Sequence, residues 1–397
     1  MRKPLVWRLL AVLLGLSLIA AACGDDSADE PAADEPAADE PADEPADEPA
    51  DEPADEPADE PADADDTVEV TQDGGLLQTI QDRGVLICGV SGAGTGFSVP
   101  DPDGRMVGFD ADMCRANAAA ILGDSEAVEF VALTAAERFT ALAAGDVDLL
   151  HRNTTWTQSR DTDVGGDFGP TTFFDGQQLM GRVADGFSAA SRVADVDGAV
   201  VCTNAGTTTE KNVAEAARLE GADFGGITLQ TFEDFNQVTD AFIAGTCDII
   251  TTDGSGLVGR RAVNDALDDW AIFPATPISK EPLGPMYRQN DSQFADVINW
   301  TVYAMTIADE NGVTSENIDD FLDAEEFPEL GRLFGTGEDE LQTAMGLQPD
   351  AFQNVIRQVG NYDEVYARHL NPLGLVREGS ANARWTEGGL IYAPPAR

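Results

Sequence analysis

Three regimes of hydrophobic and polar positions divide the chain. An apolar run over 9–22 follows the bases Arg2, Lys3 and Arg8. It is too short to span a bilayer comfortably and reads as a signal-peptide core. Over 24–73 apolar side chains larger than alanine nearly vanish. From about residue 74 to the end, short apolar runs alternate with amphipathic segments, the pattern of an α/β architecture with parallel sheets. The runs predict strands over 85–90, 127–133, 147–151, 199–203, 227–232 and 248–252, with helices over 110–121, 135–144, 209–220 and 235–244. This length suffices for two compact lobes with sizeable cores, and nothing after the signal is apolar enough for a second membrane span.

One unit occurs twice. Residues 135–150 read as a helix, a glycine C-cap at Gly145 and a strand; residues 235–250 repeat that order around Gly245. Alone this is a common α/β connection, but its recurrence predicts one related subfold in each lobe.

The N-terminal regimes carry their own chemistry. The apolar run ends in Ile19-Ala20-Ala21-Ala22-Cys23-Gly24, which resembles a bacterial lipobox, with Ala20 where leucine is commonest. That resemblance implies removal of 1–22 and diacylation of Cys23; an ordinary secretory signal with an Ala-x-Ala site is the alternative. Over 23–73 the unit Asp-Glu-Pro-Ala recurs. Frequent prolines and crowded carboxylates predict a disordered, extended tether reaching on the order of 100 Å. The net charge is -50, and about 23 acids lie in this tether without a base beside them, leaving roughly -30 on the remainder. Such a surface repels phosphate backbones and excludes nucleic-acid binding.

Candidate chemistry clusters just after the predicted strands, where open α/β sheets place ligands. In the segment from His151 to Asp161, Thr157 is placed to cap a helix whose first turn holds Arg160. A cation there opposes the helix dipole unless it holds an anion in a bidentate fork; the alternative is a surface pair with Asp161 or Asp163. Thr207, three residues before Glu210, has capping-box spacing, and that helix start is also ready for a carboxylate. Asp253 sits at a strand end before Gly254-Ser255-Gly256, either as a turn residue or as the partner of an ammonium group. Together these elements suit a zwitterion.

From about Leu76 to Arg397 the chain resembles the polar amino-acid-binding proteins of ABC importers, most closely the general L-amino-acid-binding branch. The stretches that carry the resemblance are Gly108 to Cys114, Arg152 to Asp161, Ala205 to Glu210, Thr251 to Gly256, Ile278 to Pro285, Val359 to Tyr362 and Gly388 to Pro395. Asn117 departs from the family's first-helix pattern, which is apolar there. The resemblance implies a two-lobed, type II periplasmic-binding-protein-like fold with two hinge crossovers, lobe 1 being 74–177 and 278–397 and lobe 2 178–277. It implies a carboxylate clamp at Arg160 with Asn153 and Thr155 beside it, Thr207 and Thr208 approaching from the other lobe, and Asp253 on the α-ammonium. Phe97 would be an aromatic wall or a core residue, and Trp156 is similarly open. Asp110 and Asp112 read as helix caps. Partners would be an L-amino acid, polar or broad in class, membrane-embedded ABC permease subunits, and the membrane through Cys23, outside the cytoplasm.

Apart from Cys23, Cys88, Cys114, Cys202 and Cys247 allow three pairings; within-lobe bridges Cys88–Cys114 and Cys202–Cys247 are expected. No CxxC occurs and His151 and His369 are the only histidines, so neither a metal nor a cofactor is expected. A different class shares this fold: cyclohexadienyl dehydratases act on a prephenate-like carboxylate through a proton donor. The nearest candidate donor is Glu137, which reads as solvent-facing or paired with Arg138.

Overall fold

The computed structural model describes residues 75–219, 226–338 and 341–397, so the signal segment, Cys23 and the acidic tether lie outside the described residues. Each apolar run expected as a strand contains one. The first five-stranded sheet runs Val128–Ala132, Leu86–Val90, Leu149–Leu150, Met286–Arg288 and Gly166–Phe168. The second runs Thr228–Phe232, Val200–Asn204, Ile249–Asp253, Gln177–Arg182 and Trp270–Phe273. Helices Phe109–Leu122, Arg138–Ala144, Thr208–Leu219 and Phe235–Ile243 stand where the 3.6-residue pattern put them.

The sheets are mixed and not parallel throughout, which corrects the sequence expectation. Gln177–Arg182 pairs antiparallel with both Ile249–Asp253 and Trp270–Phe273, and Met286–Arg288 pairs antiparallel with Leu149–Leu150. These strands follow the crossings between lobes and do not follow a helical return, so nothing forces them parallel. The crossings themselves form a small antiparallel ladder, with Glu281 opposite Asp175 and Leu283 opposite Phe173. The architecture is therefore the two-lobed, type II periplasmic-binding-protein-like fold, with two hinge crossovers between the sheets.

The repeated helix–glycine–strand unit is present in both lobes. Gly145 and Gly245 take φ of 81° and 77°, the left-handed region where a side chain would be strained, and each turns its chain from helix into strand. Disulfides join Cys88 to Cys114 and Cys202 to Cys247, each tying one strand to a neighbouring element of its own lobe. Among the described residues, no helix is long and apolar enough to cross a membrane.

Three polar residues on the buried helix Phe109–Leu122 act differently from expectation or explain a departure. Its N-cap is Gly108 without a side-chain cap, so Asp110 and Asp112 are not caps. Asp110 instead accepts from the Asn153 backbone N–H at 3.0 Å, and Asp112 meets Arg115, Arg368 and His369. Asn117 is fully buried, donates to Met113 O at 2.8 Å and lies 3.1 Å from His151 Nε2. Burial pushes His151 down to about 3, keeping the ring neutral so that it accepts Asn117's amide proton.

The chain after the last hinge crossing adds the 19-residue helix Ser292–Glu310 and a C-terminal tail. Near that helix's end the fully buried Asp309 carboxylate holds Arg377 at 2.7 Å and Arg384 at 2.5 Å, which fastens the tail to lobe 1. Removing Asp309 leaves the buried Arg377 only Asp363, at 2.9 Å, and the part-exposed Arg384 only Glu387, at 3.4 Å. Asp309→Ala should lower unfolding stability by about 3 kcal/mol or more and expose the tail to proteolysis. Urea denaturation and limited digestion check this; a loss near zero would show the cluster to be dispensable.

Candidate functional site

The C-terminal ends of strands from both sheets converge on a cleft of about 230 Å³. Lobe 1 contributes the segment after Leu149–Leu150. Asn153 there has φ of 43°, a left-handed conformation that asparagine tolerates, and its side chain turns toward the loop at Gly94. Thr155 is buried and forms an isolated bridge with Leu283 of the hinge, so the chain is locally extended. Extended residues alternate sides. Trp156 accordingly faces away from the cleft, 44% exposed and stacked on Phe168 at 5.9 Å, which removes it from the candidate site.

Thr157 caps the helix Gln158–Asp163 by accepting from Arg160 N–H at 3.3 Å. Arg160 lines the cleft, 7% exposed. Its guanidinium donates to Thr155 O at 3.0 Å and lies over the Phe139 ring, 5.2 Å from the centroid. Asp161 and Asp163 do not pair with it, which disposes of the surface alternative. Burial pulls Arg160 below its ordinary range, and Glu281 and Asp253 oppose that pull.

From lobe 2, Thr207 and Thr208 line the cleft, but their hydroxyls are already engaged. Thr207 Oγ1 accepts from Glu210 N–H at 3.1 Å and donates to Asn204 O at 2.8 Å, while Thr208 Oγ1 donates to Glu281 at 2.9 Å. Glu281 also accepts from Asn212 at 3.0 Å and Ser279 at 2.5 Å, which ties this helix start to the hinge. What the helix start offers an anion is therefore its backbone N–H groups and dipole.

Asp253 stands at the N-cap position of the helix Gly254–Val263 yet makes no capping bond. Its carboxyl is pushed well above the ordinary range by burial, then by the neighbouring carboxylates of Asp175 and Glu281, with Arg160 and Arg138 opposing. A carboxylate in that position lacks a cation. Phe97 both lines the cleft and packs edge-on against Phe173 at 5.2 Å and Phe109 at 6.1 Å, so wall and core are one residue.

Three further arginines, not expected here from the sequence, reach the cleft: Arg138, Arg152 and Arg260. Of the two readings of Glu137, solvent-facing or paired with Arg138, the first holds: Glu137 is exposed and accepts from Thr134 at 2.8 Å, whereas Arg138 is 2% exposed. The signal was available, since Arg138 opens its helix and so opposes the dipole as Arg160 does. Arg260 donates to Asn236 at 2.7 Å within its lobe and to Ala93 O at 2.6 Å across the cleft. The lobes approach closely there, because a Cβ on Gly259 would lie 3.0 Å from Thr95 Cβ.

A family model described as bacterial extracellular solute-binding proteins, family 3, matches residues 86–371. The chain is 41% identical over 325 residues to the general L-amino acid-binding periplasmic protein AapJ of Rhizobium johnstonii, covering 81% of this chain and 92% of that one. It is 42% identical over 329 residues to the glutamate/glutamine/aspartate/asparagine-binding protein BztA of Rhodobacter capsulatus, covering 81% and 93%. Among solved structures it is similar to an ABC transporter/periplasmic binding protein from Brucella ovis with glutathione bound, at 40% identity and a TM-score of 0.76, covering 81% of this chain and 99% of that one.

The hinge carboxyl Asp175 is pushed up to about 6 by burial, against hydrogen bonds from Ser255 and Gly176 and with Glu281 adding to the rise. A raised carboxyl binds its proton in the fold more tightly than in the unfolded chain. Its stabilising effect is therefore complete below the usual 3.8 and is lost as pH rises through about 6. Asp175→Asn keeps an acceptor oxygen for Gly176 and Ser255 N–H. It should match the wild type near pH 3.8 and exceed it above pH 6 by on the order of 1–3 kcal/mol, measured by denaturation of the ligand-free protein at both ends. A difference that does not change with pH would contradict the shift.

Proposed function

The chain belongs to family 3 of the bacterial extracellular solute-binding proteins, and from that premise we propose that it captures L-amino acids in the cleft and delivers them to an ABC importer. The observation that carries this reading is that buried Arg160 and half-buried Asp253 line one cleft from opposite lobes, neither with a side-chain counter-ion in contact among the described residues. A zwitterion satisfies both: its carboxylate takes the Arg160 fork, and its ammonium restores the charge Asp253 lacks. Asn153, Thr155 and the helix start at Thr207 and Thr208 complete the carboxylate's surroundings, and Phe97 forms an apolar wall. The lobes, 74–177 with 278–397 and 178–277, close about the two crossovers. Diacylated Cys23 anchors the protein outside the cytoplasm, with 24–73 as its tether.

The relatives named as amino-acid-binding proteins support this reading over catalysis. Exposed Glu137, bonded to Thr134, lacks the apolar pocket that a proton donor acting on a prephenate-like substrate requires. The Brucella ovis likeness favours one extension, a small peptide bearing the same α-amino acid head. A thermal-shift screen over the twenty amino acids and glutathione tests the class, since a ligand stabilises the folded state by mass action. No shift with any of them, or turnover of prephenate or arogenate, would sink the transport reading.

Arg160→Ala should keep the fold and lose affinity by roughly 30-fold to several thousand-fold, the consequence of leaving a carboxylate unpaired in a closed cleft. Calorimetry giving near-wild-type affinity would remove the clamp assignment. Asp253→Asn keeps shape and removes charge, so amino-acid affinity should fall steeply while the matching 2-oxo acid, which has no ammonium, loses less or gains. Equal losses for both ligands would reduce Asp253 to a turn residue.

A further inference from the structure

Charge in the cleft does not balance once an α-amino acid head is seated. Arg160 and Asp253 are then satisfied, and the remaining cations are Arg138, Arg152 and Arg260. Two of these have acids acting on them that the ligand does not use. Asp110 favours the charged form of Arg152, which also donates to Leu133 O at 3.0 Å. Asp234 and Asp240 do the same for Arg260, which has its two hydrogen bonds to Asn236 and Ala93.

Arg138 has no such arrangement. It is 2% exposed, and among the described residues its Nε has no hydrogen-bond partner and its one hydrogen bond is a 3.4 Å contact to Arg152 O. Arg152 and Arg160 repel it, and the acid that offsets them is Asp253, the group already assigned to the ammonium. A buried guanidinium in this position is an anion receptor waiting for its anion. Its place is informative too. Arg138 and Arg160 lie over the same Phe139 ring, 4.7 and 5.2 Å from its centroid, so one small molecule with two carboxylates can meet both.

We infer that Arg138 receives a second carboxylate at the far end of the ligand, so that the site prefers dicarboxylic amino acids over their neutral isosteres. The inference rests on the amino-acid reading above and goes beyond it by separating glutamate from glutamine. The two ligands share shape, head group and length and differ in the one charge that Arg138 lacks. Discrimination of this kind is strong because the site's buried polar group is left unpaired by the wrong ligand.

Calorimetry with L-glutamate and L-glutamine on the wild type, Arg138→Met and Arg138→Lys tests it. The wild type should bind glutamate at least about 10-fold more tightly. Arg138→Met, which keeps the stem over Phe139 and removes the charge, should collapse that ratio toward one; Arg138→Lys, which keeps charge without the fork, should retain part of it. A wild type that binds glutamine as well as glutamate overturns the proposal whether or not the variants fold. So does an Arg138→Met protein whose ratio is unchanged, because both affinities then fall together and the residue only supports the cleft wall. A wild type that binds no amino acid removes the amino-acid reading itself, and this inference with it. Glutathione, whose second carboxylate lies at the end of a peptide, distinguishes a peptide ligand from a free amino acid: tighter binding than glutamate, lost in Arg138→Met, assigns the same receptor to the peptide's terminus.

Discussion

The structure depends on lining one cleft with arginines of both lobes and with Asp253 while letting none of those arginines pair in contact with that carboxylate. A lone buried ion is costly, and an ion pair across the gap would close it permanently. The structure holds both by indirect means. Backbone carbonyls of Thr155, Leu133 and Ala93 receive the guanidiniums of Arg160, Arg152 and Arg260, and the Phe139 ring lies beneath two of the cations. Neutral acceptors and a π face steady a cation without cancelling it. Asp253, on the same lobe as Arg260, is kept beside carboxylates and has no cation in contact among the described residues.

The hinge follows from the same constraint. Glu281 and Asp175 face each other on the two crossing strands, and Glu281 is held by Thr208, Asn212 and Ser279. The start of the helix Thr208–Leu219 is thereby tied to the crossing itself. At the opposite side of the cleft Arg260 meets Ala93 O, Gly259 approaches Thr95, Gly206 approaches Ala136 and the helix Gly254–Val263 touches the turn Asn371–Leu373. These are contacts a hinge motion can break without unfolding either lobe, since each lobe keeps its own sheet and its own disulfide.

The sequence by itself determined the elements and the broad logic of the site. Hydrophobic period located the strands and helices, the glycines at 145 and 245 marked the repeated unit, and Thr157 and Thr207 declared their helix starts through capping spacing, because these signals act within a few residues. Arg160 was legible because it opposes a helix dipole, and Asp253 because it ends a strand just before Gly254-Ser255-Gly256, where open α/β sheets place ligands. Only the tertiary structure decided which neighbours share a wall. It turned Trp156 outward by the alternation of an extended segment, made Asp110 and Asp112 partners of distant backbone and bases instead of caps, and put Arg138 into the cleft while Glu137 faces solvent. It also set half of each sheet antiparallel. Burial and counter-charge are properties of residues far apart in the chain, and no local pattern encodes how many acids will stand near a given arginine.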